Sequence, residues 1–334
     1  MRGGRRRQTV EPKPFVWIKL PEKIERVTPE FHHTFKGYTG RFELTMEVVS
    51  EYLHVGSGLI ELDESYSPPK AYYSFARCND QMVIPGTSVK GAIRSIVEAI
   101  SASCVSQYRG IERLPRRYQP CEKVKPRQEK AAQLCPACRL FGTTGYRGRA
   151  YFSDAILQGK VKSEIVKIAE LWSPRRIRVA RKFYEVKTFQ KLDDRPQRGY
   201  RFVEAVPKGT KFSLTLTFEN ASSSEMGLLM RALGWELLRG GEIKVDAFTP
   251  KLGGAKPRCF GAVCFRPQKL FLISSPGLGV SSILKHLKVG GEEMEWKELV
   301  VKWLGDRSLV VMNRLDELKT KLQPQEEPCP EGVY

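Results

Sequence analysis

Cys135 and Cys138 stand as a C-x-x-C pair in QLCPACRLFG, with Cys121 and Cys104 upstream. A knuckle of this spacing offers two thiolates on one turn, and two more distant ligands complete the tetrahedron that a zinc ion takes in structural sites. Four soft ligands leave no open position for substrate, so the chemistry expected is scaffolding, with structural Zn2+ as the cofactor. The surrounding segment is basic, contains prolines and is poor in apolar residues, so a metal clip would supply folding energy that burial cannot. The ligand set predicted is Cys104, Cys121, Cys135 and Cys138. The fourth ligand stays open, because Cys104 falls on a predicted helix where a core cysteine is also expected, and His54 is another candidate. A redox or incidental pair is the competing use of the spacing.

Three short stretches have the chemistry of anion binding. In IPGTSVKGAIRS, the residues Gly86, Thr87 and Ser88 open a helix, where free backbone amides and hydroxyls can meet a phosphate, and Lys90 and Arg94 share one helical face. The stretch lacks G-x-x-x-x-G-K-[ST], which argues against a nucleoside triphosphatase. GTTGYRGRA carries Gly142, Gly145, Arg147 and Arg149, and GGAKPRCFG carries Gly253, Gly254, Lys256, Arg258 and Gly261. Both set glycines, which permit close backbone approach, beside cations. Three such loops suit a polymer better than one small anion. A fourth basic element interleaves Arg175, Arg176, Arg178, Arg181 and Lys182 with Ile177, Val179, Phe183 and Tyr184, a pattern that can follow a phosphate backbone and stack on bases. Each stretch also has a plain reading, as a capped helix or as a strand with a solvated face.

The whole-chain charge agrees with a polyanionic partner. The 334 residues carry 56 Lys and Arg against 37 Asp and Glu, a formal charge of +19. Such a field favours nucleic acid through counterion release, although a heat-adapted, highly charged surface would give a similar balance. No apolar run is long enough to span a membrane, and the start MRGGRRRQTVEPKP has no apolar signal core. A reducing cytoplasm is therefore the expected location, and eight cysteines are too sparse for a disulfide scaffold.

Several elements must hold these stretches in place. RFELTMEVVS alternates Phe42, Leu44, Met46 and Val48 against polar residues, which predicts a half-buried strand. A helix is expected from about Ser88, with Val89, Ile93, Ile96, Val97 and Ile100 on its apolar face. Residues 105–133 show no clean period and read as an insertion outside the core. RAYFSDAIL and TKFSLTLTFEN predict strands, and SSSEMGLLMRALGWELLRGG predicts a helix from a serine cluster to a Gly-Gly stop. The segment from Leu171 to Val206 predicts a long hairpin with a polar tip at Lys191 to Arg198. Helices are expected in EEMEWKELVVKWLGD and SLVVMNRLDELKTKL. The order describes an α+β protein with two halves of similar plan joined by an insertion.

IPGTSVKGAIRS, CPACRLFG followed by GRAYFSDA, and GGAKPRCFG together resemble the hallmark segments of the RAMP superfamily of CRISPR-associated proteins, in particular backbone subunits of type III effector complexes. The likeness spans about residues 38 to 266. It implies a modified ferredoxin-like (RRM-like) core with a projecting thumb hairpin and a zinc-binding insertion. The implied divisions are an N-terminal arm and extended segment (1–37), core (38–104), insertion (105–141), core (142–172), thumb (173–200), core (201–273) and a C-terminal helical extension (274–334).

The resemblance further implies CRISPR RNA and target RNA as partners, along with other effector subunits stacked head to tail. It assigns guide-RNA contact to Lys90 and Arg94 and a backbone cradle to Gly253–Gly261. Active relatives carry a loop of the form H-I-G-G-S-D, whose aspartate supports metal-dependent cleavage. Here the loop is HVGSGLIELDES, and Gly58 falls near the aspartate position. Asp63, Glu61 or Glu64 would have to take that role, with Mg2+ bound at the acid, and Asp63 is the catalytic candidate. Solvated loop acids are the plain alternative. The rival functions are a metal-dependent endoribonuclease, cutting target or processing guide precursor, and a zinc-stabilised RNA-binding protein outside CRISPR.

Overall fold

The computed structural model describes residues 14–33, 35–67, 69–106, 114–125, 131–171 and 180–330. The predicted strand at Arg41 lies within Tyr38–Val48, the spine of the larger sheet, and its even-numbered side chains Phe42, Leu44, Met46 and Val48 are buried. Lys211–Ala221 runs antiparallel to it with Leu214 opposite Leu44 and Leu216 opposite Phe42, so two alternating strands put their apolar faces on one side. Across the sheet the order is Glu292–Met294, Val263–Ser274, Tyr38–Val48, Lys211–Ala221, Ala155–Leu157, Gln81–Ile84 and Arg77–Cys78. Ala150–Phe152 also pairs with Lys211–Ala221. Arg266 Nε and Glu47 Oε2, 2.6 Å apart, form an ion pair on the opposite face.

Six helices are described: α1 (Gly86–Ile100), α2 (Pro136–Phe141), α3 (Ser223–Ala232), α4 (Val280–Lys288), α5 (Trp296–Gly305) and α6 (Met312–Lys321). Val89, Ile93, Ile96, Val97 and Ile100 of α1 are buried in the core shared with the sheet, as their helical spacing predicts. Full burial of side chains of this size stabilises the fold by about 2 kcal/mol each. Glu225 closes a capping box with Ser222 at the start of α3. The same carboxylate takes Arg149 at 2.7 Å and Arg139 of α2 at 3.3 Å, which pins α2 against α3. The result is a mixed α+β molecule whose main sheet has buried helices against one face.

A second sheet runs Glu164–Ala169, Tyr200–Pro207, Lys70–Phe75 and Gly56–Asp63, with Tyr52–Leu53 also pairing with Tyr200–Pro207. Its own core is Val166, Ile168, Val203, Ala205, Ala255 and Phe260. The expected long hairpin is realised differently. Glu164–Ala169 pairs with Tyr200–Pro207, whereas Ala180–Tyr184 pairs with Phe15–Lys19 and Val186–Thr188 with Pro324–Pro328. The basic-aromatic alternation marks a two-faced strand but does not name its partner. Both chain ends supply it, and the Lys182 ammonium sits 4.0 Å from the centre of the Phe15 ring.

Other expectations also shift. The helix from the serine cluster stops at Ala232, because Trp235 turns inward to donate its indole N–H to the Phe265 carbonyl at 2.8 Å. Glu236–Leu237 and Ile243–Lys244 then pair as a small ribbon instead of continuing the helix. The segment 105–133 is not wholly outside the core: Cys121 and Val124 are buried in the main cluster, as are Leu134, Ala137, Leu140 and Phe141 just after it. Nor are all the cysteines metal ligands or free thiols, since Cys259 and Cys329 form a disulfide across 70 residues. The expectation of a reducing compartment gives no reason to pair them, and the disulfide departs from it.

Candidate metal centre and nucleic-acid interface

The four cysteines converge as the spacing requires. The C-x-x-C turn is the start of α2, with Cys135 at its N-cap and Pro136 as its first residue. Cys104 lies just past the end of α1, and Cys121 follows a short 3-10 turn at Arg116–Tyr118. From Cys104 Sγ the other sulfurs are 3.6 Å (Cys138), 3.9 Å (Cys121) and 3.5 Å (Cys135) away. Four thiolates at the usual Zn–S length form a tetrahedron with edges of about 3.8 Å. All four residues are buried, and their sulfurs lie within 4.8 Å of one another. As thiolates they would repel, and a divalent cation removes the conflict, so the donor set fits a metal ion. Among the described residues this is the one group of three or more His, Cys, Asp or Glu close enough to hold one. His54 is not part of it.

Backbone groups complete the setting. The Cys104 and Cys135 amides point at Cys135 Sγ and Cys121 Sγ, each at 3.4 Å. Arg94 places one guanidinium nitrogen 3.6 Å from Cys138 Sγ and donates others to the Gly142 carbonyl at 3.1 Å and to Glu98 at 3.0 Å. Glu98, fully buried, also pairs with Arg181 on the strand Ala180–Tyr184. A line of charge therefore runs from the thiolates through Arg94 and Glu98 to Arg181.

The loop after the C-x-x-C serves the same centre. A Cβ at Gly145 would lie 2.0 Å from the Val124 carbonyl oxygen, and Val124 donates its amide to the Thr144 carbonyl at 3.0 Å. The glycine thus admits the protein's own backbone, not a phosphate. Arg149 is buried, donating to Glu225, the Asn220 carbonyl and the Glu30 carbonyl. Arg147 is exposed, bound to Glu219 and the Tyr151 hydroxyl, both at 2.7 Å.

Next to Arg181 the strand turns outward into a groove of about 470 Å³. Its walls are Thr87, Ser88, Gly91 and Ser95 of α1, Lys182 to Tyr184, and Lys251 with Gly253, Gly254 and Lys256. Three stretches far apart in sequence meet here. The glycine loop lies flat because Gly253 has φ +78 and a Cβ there would stand 2.3 Å from the His54 carbonyl oxygen. The Gly254 amide donates to that same oxygen at 2.8 Å. His54 itself is buried, with Nδ1 2.6 Å from the Glu204 carbonyl, and burial lowers its pKa. It braces the loop as a neutral ring.

Lys251 donates to the Glu185 carbonyl and Lys256 to the Gly253 carbonyl, both at 2.6 Å. Burial, with the Lys256 charge beside it, pushes the Lys251 pKa down to about 7, and burial also lowers that of Lys256. A bound phosphate favours the charged ammonium, so binding takes up a proton wherever Lys251 starts neutral. Binding of an anion beside Lys251 is expected to weaken several-fold between pH 6 and pH 8, as pH rises through that pKa, which titration with a labelled oligonucleotide would read. Replacing Lys251 with Gln should flatten the profile, measured by fluorescence anisotropy.

The remaining predicted residues lie elsewhere. Lys90 and Arg94 occupy a neighbouring face of α1 and do not line the groove; Lys90 faces the Tyr151 ring, and Arg94 serves Glu98 and the metal centre. Arg181 points inward to Glu98. Arg258 is buried and donates to the carbonyls of Ala169, Glu170 and Pro330. Gly86 gives its amide to Asp154 Oδ1 at 2.8 Å, so it is not open to a ligand. Asp63 ends the exposed strand Gly56–Asp63 and accepts from the Ser65 amide and hydroxyl, which holds its carboxyl below the usual range. Arg175, Arg176 and Arg178 lie outside the described residues. Lys251 lies just outside the GGAKPRCFG motif, two residues before its paired glycines, and that position is its only signal in the sequence. A second basic groove, of about 750 Å³, is lined by Arg26 together with Arg116, Arg117, Lys123 and Lys125 of the segment that carries the four cysteines.

The family model of the RAMP superfamily matches residues 45–263, about two thirds of the chain. The chain belongs to the RAMP superfamily. No curated protein matches it. In this RAMP protein the match takes in the metal centre and most of the groove and leaves out Phe15–Lys19 and α4 to α6. Membership carries a CRISPR-associated, RNA-binding role at the level of the superfamily, whose proteins generally bind CRISPR RNA and partner Cas subunits. None of the described helices is long and apolar enough to cross a membrane.

Proposed function

We propose that this RAMP protein is a guide-RNA-binding backbone subunit of a type III RNA-guided effector complex, working in antiviral defence in the cytoplasm. The observation that carries the reading is the groove, where the α1 N-terminal turns, the basic-aromatic strand and the glycine loop face one space. Ser88, Lys182, Lys251, Gly253, Gly254 and Lys256 hold the RNA backbone, and Phe183 and Tyr184 offer ring surfaces to its bases. Contacts of this kind are mainly to phosphate, so binding tolerates sequence.

The strand order supports a ferredoxin-like core: Tyr38–Val48, α1, Ala150–Leu157, Lys211–Ala221, α3 and Val263–Ser274 follow the β-α-β-β-α-β plan. The excursion between Glu164–Ala169 and Tyr200–Pro207, with its largely exposed tip at Lys191 to Arg198, is the candidate thumb. Zinc fits the four-sulfur site by ligand type and edge length, and its role is to fix the segment from Cys104 to Phe141 beside α1. Arg147 is left as an exposed cation that can reach RNA outside the groove. For cleavage, Asp63 at the end of its strand, held by the Ser65 hydroxyl and flanked by Glu61 and Glu64, is the acid to test.

The test is to express the protein with a repeat-spacer array and sequence the RNA that co-purifies. Fragments with repeat-derived ends are the expected result. RNA drawn evenly from the cell's transcripts would make this an RNA-binding protein outside CRISPR defence and overturn the reading.

A further inference from the structure

The disulfide between Cys259 and Cys329 belongs neither to the four-cysteine centre nor to the lining of the groove, yet it anchors the far end of the glycine loop that forms one groove wall. Cys259 is fully buried and has a left-handed backbone with φ +64, and Ala255 in the same loop has φ +52. Residues with a Cβ hold such conformations only where surrounding contacts impose them. Here the Cys259 amide donates to the Lys256 carbonyl at 3.1 Å, and Arg258 donates to the carbonyls of Ala169, Glu170 and Pro330. On the other side Cys329 follows Pro324–Pro328, a mostly exposed strap paired in parallel with Val186–Thr188, just past the groove wall Lys182–Tyr184. The register sets Pro324 opposite Val186 and Pro328 opposite Thr188, and prolines have no N–H to give to a ladder. The Cys329 amide donates to the Thr188 carbonyl at 2.8 Å, and Lys187 pairs with Glu327, which is 69% exposed and so contributes little. The covalent bond is therefore the strongest link between strap and loop.

We propose that the Cys259–Cys329 bond is a redox latch on the groove. Closed, it holds the glycine loop in its binding shape; opened by a dithiol, it frees the strap Pro324–Pro328, lets the loop relax and weakens RNA binding. The consequence for RNA rests on the guide-RNA reading, and the consequence for the loop does not. Both cysteines are buried, so the strap must lift before a reductant reaches the sulfurs. One thiolate of the dithiol then attacks Cys329 Sγ, the S–S bond breaks, and Cys259 leaves as a thiolate that takes up a proton. The second thiol attacks the mixed disulfide and releases the Cys329 thiol. The protein gains two electrons and two protons, and the dithiol becomes a cyclic disulfide. A reducing compartment favours the open form, and oxidising conditions favour the closed, tight-binding form. Cys259 lies within the residues that the family model matches and Cys329 lies outside them, so the latch joins a family segment to one beyond it.

The test compares full-length protein, freed of RNA with nuclease, after oxidised glutathione and after dithiothreitol. Peptide mapping of alkylated protein should find Cys259 joined to Cys329 in the first sample and both thiols free in the second. Amide hydrogen exchange across Gly253–Gly261 and Pro324–Cys329 should rise about ten-fold or more on reduction. Affinity for a labelled oligonucleotide, read by anisotropy, should fall several-fold, and both changes should reverse on reoxidation. Cys329→Ser should behave as the reduced protein in either reagent. If that variant does not fold, the reversible change in wild type still decides the matter. Protein that never forms the bond, equal exchange of the loop in both states, or a Cys329→Ser protein that still responds to dithiothreitol would overturn the latch. A loop that loosens on reduction while the oligonucleotide binds in neither state would count against the guide-RNA reading and leave the latch in place.

Discussion

Stripping the metal from the four-cysteine centre is expected to unfold the segment from Cys104 to Phe141 and to destabilise the main core with it. Structural zinc supplies on the order of 10 kcal/mol of apparent binding free energy at neutral pH, and none of that is available to the unfolded chain. The loss cannot stay local. Leu134, Ala137, Leu140 and Phe141 belong to the same buried cluster as α1 and the central sheet. Elemental analysis should give one zinc per folded chain, and Cys138→Ser should yield protein that melts far lower or fails to accumulate in soluble form. A metal-free preparation that melts like wild type and resists proteolysis between Cys104 and Phe141 would remove the metal from the account.

Glu98→Ala is expected to cost about 3–5 kcal/mol of stability, the range for breaking a buried charge pair from one side. Glu98 is fully buried and lies between Arg94 and Arg181. Without its carboxylate, both guanidiniums face a site in which Glu98 was fully buried and they themselves are mostly covered. The same change takes the Glu98 carboxylate from Arg181, two residues before Phe183, so the groove wall should loosen and RNA affinity should fall with stability. Combining Glu98→Leu with Arg181→Leu should recover part of the loss, because two apolar side chains leave no uncompensated charge. Denaturant unfolding of the three proteins reads the difference. Equal melting of Glu98→Ala and wild type would mean that the carboxylate does not hold these elements together.

Local chemistry was legible in the sequence, and distant pairing was not. The alternation in Tyr38–Val48 and Lys211–Ala221 and the helical spacing in α1 each reflect burial of one face, which a short window of residues displays. The C-x-x-C and its two upstream cysteines were equally readable, because a tetrahedral ion needs few ligands and tolerates only some spacings. Cationic side chains were harder to place. Arg149, Arg181 and Arg258 stand beside glycines or aromatics as RNA-binding arginines would, yet each is turned inward to carbonyls or a carboxylate. A guanidinium with five donors suits either use, and sequence pattern does not show which acceptors the fold will bring up. The strand Ala180–Tyr184 failed as a hairpin arm for the same reason, since its partner Phe15–Lys19 lies far earlier in the sequence.

The central claim is that RNA lies in the groove between α1, Lys182–Tyr184 and the loop Gly253–Lys256. Photo-crosslinking the protein to a bound guide RNA, followed by mapping of the modified peptides, tests it most directly. The account predicts adducts on Phe183 or Tyr184 and on the peptide that carries Lys251 to Lys256. Adducts confined to the second basic groove at Arg116–Lys125, or to α4 to α6, with none in the first groove, would contradict it.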